Sequence, residues 1–197
     1  MKKLKLATLF LAAGFLIQLF APVPAYAVNT GRFTDVPETH PYHDEIYQAV
    51  ELGLFTGTSS TSFSPDQPMT RGMLAAILSR LDGVTTLAYR AKQYSDVPAG
   101  AWYAAPVAWA SKTGIASGTS AGFFSPNQGL TWGELIEWLT AYAAYAGIDA
   151  AVCDGLLPDS ANVQDVPTRG EAAAALLRLC GDRPILSVSS TILGSGD

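Results

Sequence analysis

The chain has 197 residues, nearly half of them hydrophobic, and a formal charge of −5 at neutral pH. Its acidity and its lack of a Lys/Arg cluster beyond the first residues argue against nucleic acid and anionic lipid head groups as partners. A chain of this length can bury one sizeable core or a few small ones.

The N-terminus predicts export. Three lysines lie within residues 1–5, residues 6–20 form an almost unbroken apolar run, and Ala25-Tyr26-Ala27 supplies a small-x-small cleavage pattern. We therefore predict a signal peptide over residues 1–27 and no membrane span after its cleavage, which leaves 170 residues with a formal charge of −8. The alternative is an uncleaved anchor, although the apolar run is short for a bilayer span of about 20 residues.

An internal duplication dominates the remaining chain. Residues 33–81 align with residues 94–142 at a constant offset of 61, and 17 of the 49 positions are identical, whereas about 3 are expected by chance. The recurring segments are Asp35-Val36-Pro37 with Asp96-Val97-Pro98, Gly57-Thr58-Ser59 with Gly118-Thr119-Ser120, and Phe63-Ser64-Pro65 with Phe124-Ser125-Pro126. The chain is therefore built from tandem repeats.

A third copy is incomplete. Thr168-Arg169-Gly170-Glu171 repeats Thr70-Arg71-Gly72, but the stretch from Gly155 to this motif is shorter than in the other copies and the opening Asp-Val-Pro segment is missing from its place. The predicted organisation is two full repeats, a partial third repeat and a disordered tail, at residues 28–93, 94–147, 148–182 and 183–197.

Each repeat has the pattern of a helix, a long loop and a second helix. Apolar residues at helical spacing predict an all-α chain with helices near residues 43–53, 70–81, 104–113, 131–146 and 169–180. Thr131 with Glu134 and Thr168 with Glu171 have the spacing of capping boxes, whereas Met73 replaces the acid in the first copy. Because a two-helix unit cannot bury its own apolar face, we expect the units to form one body.

These motifs, in this order and at this spacing, resemble the S-layer homology family over about residues 32–181. The resemblance implies three units in a pseudo-threefold arrangement, with ligand grooves between neighbouring units. It also implies a secreted, non-enzymatic protein without a cofactor, located at the bacterial cell wall or surface layer. The implied partner is a secondary cell wall polysaccharide linked to peptidoglycan, often pyruvylated, and a surface protein is a further possible cargo. The alternative is a structural surface-layer or assembly subunit whose repeats contact protein rather than glycan.

Two arginines are the leading ligand candidates. Arg71 and Arg169 stand at the first position of a predicted helix, where helix amides and a guanidinium together can receive a carboxylate or phosphate. The alternative is that Arg71 pairs with a nearby acid such as Asp35 or Asp66. Trp132 occupies the arginine position of the second unit, where it can stack on a sugar or simply pack. At most two grooves are therefore expected to bind an anion.

The other predicted ligand residues come from the repeated loop motifs. They are Asp35, Asp96, Gly57, Ser59, Gly118, Ser120 and Trp102, the last of which stands at an aromatic position of the family pattern. Residues 118–122 also match the G-x-S-x-G nucleophile pattern, but the only histidines, His40 and His43, precede it. No catalytic or metal site is therefore predicted.

The cysteines leave two alternatives open. Cys153 and Cys180 both fall in the shortened third unit of a chain predicted to be exported, so a disulfide between them is one alternative. The other is that each is a small buried apolar residue.

Overall fold

The computed structural model of the protein describes residues 33–85, 88–89 and 94–180. Within these ranges the chain forms five α-helices and a short 3-10 helix, without a strand. They are α1 (His43–Glu51), α2 (Arg71–Leu81), α3 (Ala104–Lys112), α4 (Trp132–Tyr145), the 3-10 helix Ala150–Cys153 and α5 (Arg169–Cys180). The predicted signal peptide at residues 1–27 and the predicted tail at 183–197 lie outside the described residues.

The helices begin and end close to the predicted positions, and the all-α prediction is confirmed. Thr131 and Glu134 form a complete capping box at the start of α4. Thr168 and Glu171 exchange the same pair of hydrogen bonds at the start of α5. At the start of α2, Thr70 accepts a hydrogen bond from the Met73 amide, but no acidic side chain completes the box.

The helices pack across unit boundaries. α2 lies against α3 of the second unit, and α1 lies against α5 of the third unit. The buried apolar side chains of all three units, from Phe33 to Cys180, belong to a single cluster. The described units therefore form one body, as expected for helix pairs that cannot bury an apolar face alone.

A cyclic set of hydrogen bonds joins the three units. The second residue of the second helix in each unit is a glycine whose amide donates to a loop carbonyl of the next unit. Gly72 donates to Pro126 at 2.8 Å, Gly133 to Val163 at 2.8 Å, and Gly170 to Pro65 at 2.9 Å. The units thus contact one another in the order first to second, second to third and third back to first. This closure is the pseudo-threefold arrangement that the family resemblance implied.

The segments that precede these helices meet at the centre of the ring. The Met69 amide donates to the Pro167 carbonyl at 2.8 Å, and the Leu130 amide donates to the Met69 carbonyl at 3.0 Å. Pro167 stands at the equivalent position in the third unit but has no N–H, so it cannot donate the third bond of this set. All three residues are buried.

The third unit replaces the first α-helix with the 3-10 helix, which follows α4 after a short turn. Gly155 then has a φ of 71°, matching Gly53 at 71° and Gly114 at 77°. This left-handed conformation strongly favours glycine, which explains why the residue recurs in the shortened copy. The incomplete unit therefore still returns the chain to the loop position that contacts α4.

Candidate functional site

Arg71 is buried inside a cage provided by the second unit, with 3% of its surface exposed. Its Nε donates to the Phe124 carbonyl at 2.9 Å, its Nη2 donates to the Ser117 carbonyl, and its Nη1 forms a 2.5 Å ion pair with Glu134. The guanidinium carbon lies 4.8 Å from the ring centroid of Phe124 and 4.9 Å from that of Trp138. The charge of Arg71 is thus compensated within the protein.

Arg169 occupies an equivalent cage in the first unit and is 5% exposed. Its Nε donates to the Phe63 carbonyl at 3.0 Å and its Nη2 to the Thr56 carbonyl at 2.9 Å. Its Nη1 lies 3.9 Å from the Met73 sulfur, which is a weak acceptor. Its guanidinium carbon lies 4.5 Å and 5.4 Å from the ring centroids of Phe63 and Phe55.

The two cages differ at the residue that faces Nη1. Glu134 supplies a carboxylate to Arg71, whereas Met73, 61 positions earlier in the same register, supplies a thioether to Arg169. Among the described residues, Arg169 has no carboxylate within salt-bridge distance. Arg169 is therefore a buried cation without a direct counterion, an arrangement that proteins rarely leave uncompensated.

Burial lowers the pKa of the Arg169 guanidinium to about 10. The nearby positive charge of Arg80 contributes a smaller part of this lowering, and the negative charge of Asp35 acts in the opposite direction. The group remains charged at neutral pH. An anion brought next to Nη1 would be attracted in a setting with little solvent screening.

Arg169 lines a groove of about 500 Å³ between the units. Residues 55–58 of the first unit form one side of it, and Met73, Ala76, Ile77 and Arg80 of α2 form another. Trp102 of the second unit also lines the groove, although 60% of its surface is exposed. The groove thus combines the buried cation of Arg169, the exposed arginine Arg80, an otherwise apolar helix face and an accessible indole ring.

The helix amides do not contribute to this site as predicted. The amides of Arg169 and Gly170 already donate to the carbonyls of Gln67 and Pro65. The Arg71 amide donates to the carbonyl of Gln128 in the same way. The prediction that helix amides and the arginine together receive an anion is therefore wrong at these amides, because ring closure uses them.

Of the two roles proposed for Arg71, pairing with an acid is the one that the structure supports, although the acid differs from those expected. Its terminal nitrogens are paired within the protein, which argues against direct ligand contact, and its acidic partner is Glu134 rather than Asp35 or Asp66. Glu134 was missed because it lies 63 positions away in the chain and belongs to the next unit. Its capping-box spacing was visible in the sequence, but that pattern reports only its local role.

Asp35 and Asp96 are loop braces. The two carboxylate oxygens of Asp35 accept hydrogen bonds from the amides of Phe63 and Ser64, at 2.9 and 2.7 Å. Asp96 makes the same two bonds to Phe124 and Ser125. These contacts hold each phenylalanine carbonyl where an arginine of another unit reaches it. The two acids thus stabilise the loops that supply the arginine cages with carbonyl acceptors. Neither of them is among the residues that line the groove.

The loop glycines are required by close packing. A Cβ on Gly57 would lie 2.5 Å from the Ser59 carbonyl oxygen and 2.7 Å from the Phe33 ring. A Cβ on Gly118 would lie 2.5 Å from the Phe123 carbonyl oxygen. Gly57 nevertheless contributes backbone to the groove that contains Arg169.

The two predicted serines lie in exposed loop turns. The hydroxyl of Ser59 accepts the amides of Thr61 and Ser62, at 3.2 and 3.0 Å. The carbonyl of Ser120 accepts the Phe123 amide at 3.1 Å. These bonds organise the turns, and neither serine lines the groove.

Trp132 is packed and only 2% exposed. Its backbone amide donates to the Asp165 carbonyl of the third unit at 2.8 Å, just as the Arg71 and Arg169 amides donate to the unit that each of them contacts. In the same register, Ala161 stands where Phe63 and Phe124 form the other cages. Of the two alternatives for Trp132, packing is therefore the one that the structure supports.

Both cysteines are free thiols and buried. Burial raises the pKa of Cys153 and Cys180, and for Cys153 a hydrogen bond from Thr140 opposes that effect. The sequence left a disulfide and two small buried apolar residues as alternatives. The structure has the second, because Cys153 and Cys180 are both buried and not bonded to each other.

The first two units match the family model of the S-layer homology domain, at residues 32–72 and 93–136. These ranges contain both aspartate braces, both repeated loops and the start of both second helices. The chain therefore carries S-layer homology domains. None of the helices in the described part of the chain has the length and apolarity to cross a membrane.

Three longer proteins are similar to this chain. It is 28% identical over 153 residues to a cell surface protein of Thermoanaerobacter kivui, covering 76% of this chain and 20% of that protein. It is 30% identical over 132 residues to an endoglucanase of Bacillus sp. (strain KSM-635), covering 63% of this chain and 13% of the enzyme. It is 29% identical over 117 residues to an S-layer protein of Bacillus thuringiensis subsp. finitimus, covering 59% of this chain and 14% of that protein. The matched region thus spans a fifth or less of each relative. The domains and these relatives indicate a location at the cell surface.

Proposed function

We propose that this chain attaches non-covalently to the cell wall by binding a secondary, peptidoglycan-linked polysaccharide that carries carboxylate groups, such as pyruvate ketals. The S-layer homology domain is a non-catalytic anchoring domain, and its presence here supports an anchoring role. The endoglucanase name belongs to a protein of which this chain matches 13%, so it does not argue for catalysis here. Residues 148–182 act in this proposal as a shortened third unit that completes the ring.

The observation that carries the proposal is the buried, uncompensated guanidinium of Arg169. Its Nη1 faces Met73 rather than an acid, and both residues line the same groove. A carboxylate that enters this groove gains a charge-assisted hydrogen bond in a poorly solvated setting. A neutral sugar lacks this interaction, so the site is expected to select acidic glycans.

Trp102 supplies the second half of the proposed binding surface. Its ring is held edge-on against Tyr103 at a centroid distance of 5.1 Å and an angle of 78°. A half-free indole beside a cation can stack on the apolar face of a sugar while the carboxylate reaches the guanidinium. A groove of about 500 Å³ has room for more than one sugar residue.

A pelleting experiment tests this function. The chain is mixed with purified wall sacculi, before and after hydrofluoric acid removes the attached polymer, and the bound fraction is measured. We expect binding only to untreated walls and competition by a soluble pyruvylated glycoside. Equal binding to both preparations would contradict a polymer ligand, and self-association without walls would favour the alternative of a structural assembly subunit.

A pair of aromatic variants tests whether the ligand lies in the groove. Trp102→Ala should weaken wall binding roughly fivefold because it removes the stacking surface. Phe123→Ala is the matched control, since Phe123 is also an exposed aromatic residue but does not line the groove. Both variants should melt like the parent chain. Equal binding by the two variants would place the ligand elsewhere.

A further inference from the structure

The three junctions of the ring share one backbone pattern. At each of them, the first two residues of a second helix donate their amides to a loop of the next unit. We call the contact between α4 and residues 158–166, which joins the second unit to the third, the third junction. The equivalent glycines Gly72, Gly133 and Gly170 allow the three junctions to be compared within one chain.

A tyrosine covers the glycine at the other two junctions. A Cβ built on Gly72 would lie 3.4 Å from Cγ of Tyr103, and one built on Gly170 would lie 3.0 Å from Cδ2 of Tyr42. Both tyrosines stand at the N-cap of the first helix of their unit. The third unit has the 3-10 helix in that place, with Asp149 at its N-cap, so no tyrosine occupies this position.

The loop at the third junction is open to solvent. Val163, whose carbonyl accepts the Gly133 amide, is 49% exposed. Pro65 and Pro126, whose carbonyls accept the glycine amides at the other junctions, are buried. The three atoms nearest to a Cβ built on Gly133 belong to Val163 and Thr131, and none belongs to an aromatic ring. Water can therefore reach the bond of Gly133 far more easily than its counterparts.

The second helix is also less covered at the third junction. α2 and α5 each pack on an α-helix of nine residues, whereas α4 packs on the four-residue 3-10 helix. Glu137 and Thr140 of α4 are consequently exposed, although their counterparts Ala76 and Ser79 on α2 are buried. Less surface is therefore buried where the second unit meets the third.

Two ties of the other junctions have no equivalent at the third. The side chains of Arg71 and Arg169 cross their junctions to donate to loop carbonyls, whereas Trp132 stands in the same register and packs. At the ring centre, Pro167 has no N–H with which to complete the set of backbone bonds. The third junction therefore depends mainly on exposed backbone hydrogen bonds.

We propose that residues 158–166 form a gate in the ring: they separate from α4 far more often than the other two junctions open, and the chain does not unfold when they do. Segments with few buried contacts and solvent-exposed backbone hydrogen bonds open locally at low free energy. Arg169 and its carbonyl acceptors belong to the third and first units, so opening of the gate leaves their contacts in place. The proposal goes beyond the proposed function and needs no glycan for its test.

Native-state hydrogen exchange followed by NMR tests the gate in the parent chain. After correction for intrinsic exchange rates, the Gly133 amide should exchange at least about tenfold faster than the amides of Gly72 and Gly170. It should also exchange faster than global unfolding allows. Equal protection of the three glycines, or weaker protection at Gly72 or Gly170, would overturn the proposal.

Matched glycine variants test whether the opening is local. A Cβ on Gly133 would lie 3.2 Å from the Val163 carbonyl oxygen, and one on Gly72 would lie 2.9 Å from the Pro126 carbonyl oxygen. Gly133→Ala should speed exchange at position 133 at least about threefold, leave Gly72 and Gly170 within about twofold, and lower the melting temperature by less than about 3 °C.

Gly72→Ala should lower the melting temperature more than Gly133→Ala, because its junction opens only when the chain unfolds. If Gly133→Ala speeds exchange equally at all three junctions, or costs as much stability as Gly72→Ala, the ring opens as a whole and the proposal is wrong. If Gly72→Ala does not fold at all, that result agrees with the proposal, and the exchange rates of the parent chain and of Gly133→Ala still decide it.

Discussion

Replacement of Arg71 by alanine should destabilise the ring and leave the ligand site intact. The substitution removes a side chain that joins the first unit to the second through three hydrogen bonds. The carbonyls of Phe124 and Ser117 lose their donor, and Glu134 loses its countercharge. Because the Arg71 side chain lines no part of the groove at Arg169, wall binding by the folded protein should not change.

The magnitude follows from the burial of the pair. Breaking a buried ion pair by removing one partner typically costs about 3–5 kcal/mol. The Glu134 side chain is 29% exposed, so water can solvate part of the orphaned charge and the lower end of that range applies. We expect a loss of about 3 kcal/mol, which corresponds to a fall of about 10 °C in melting temperature for a domain of this size.

Urea unfolding followed by circular dichroism measures this loss. Arg178→Ala is the control, because Arg178 is an exposed arginine with one hydrogen bond to the Gly155 carbonyl and its loss should cost less than about 1 kcal/mol. The double variant Arg71→Ala with Glu134→Ala should cost about 1–3 kcal/mol less than the sum of the single variants. An Arg71→Ala chain that keeps its full stability and no longer binds walls would refute this reasoning and make Arg71 a ligand residue.

Three further outcomes follow from the structure. Asp35→Ala should cost about 2 kcal/mol in urea unfolding, because two loop amides lose their acceptor; stability equal to that of the parent chain would contradict its role as a brace. Trp132→Arg should lower stability by at least about 2 kcal/mol without raising affinity for an acidic glycan, because it places a charge where a packed indole now lies; a gain in affinity would show a usable third cage. Thiol labelling without reductant should detect two reactive groups after denaturation and slow reaction before it, since Cys153 and Cys180 are free and buried; an absence of labelling after denaturation would reveal a disulfide.

The helices could be predicted because their signals are local. Capping residues, helical spacing of apolar side chains and glycines after the first helices all lie within a few positions of the elements they define. The duplication strengthened each signal, since the same pattern appeared twice at one offset. The short 3-10 helix in the third unit was harder to predict because that copy retains only the glycine that follows it.

The roles of the site residues depend on contacts that local patterns do not report. Arg169 receives its acceptors from residues 106 and 113 positions earlier, and Arg71 pairs with an acid of the next unit. The sequence singled out both arginines as ligand candidates, but their neighbours depend on how the ring closes. The replacement of Glu by Met at position 73 was visible as an incomplete capping box, yet its electrostatic meaning appears only when Arg169 is placed beside it.

Ligand binding and ring closure are coupled if Arg169 is the anion site. Arg169 belongs to the third unit and its cage to the first, so the same guanidinium both closes the ring and faces the groove. Desolvation of the Arg169 guanidinium lowers its pKa. A carboxylate that pairs with this buried charge would compensate it and would thereby strengthen the junction between the first and last units. A ligand that binds only the closed ring stabilises the folded chain in proportion to its concentration and affinity. Attachment to a polymer rich in such groups would therefore also oppose opening of the ring at the junction where the first and third units meet.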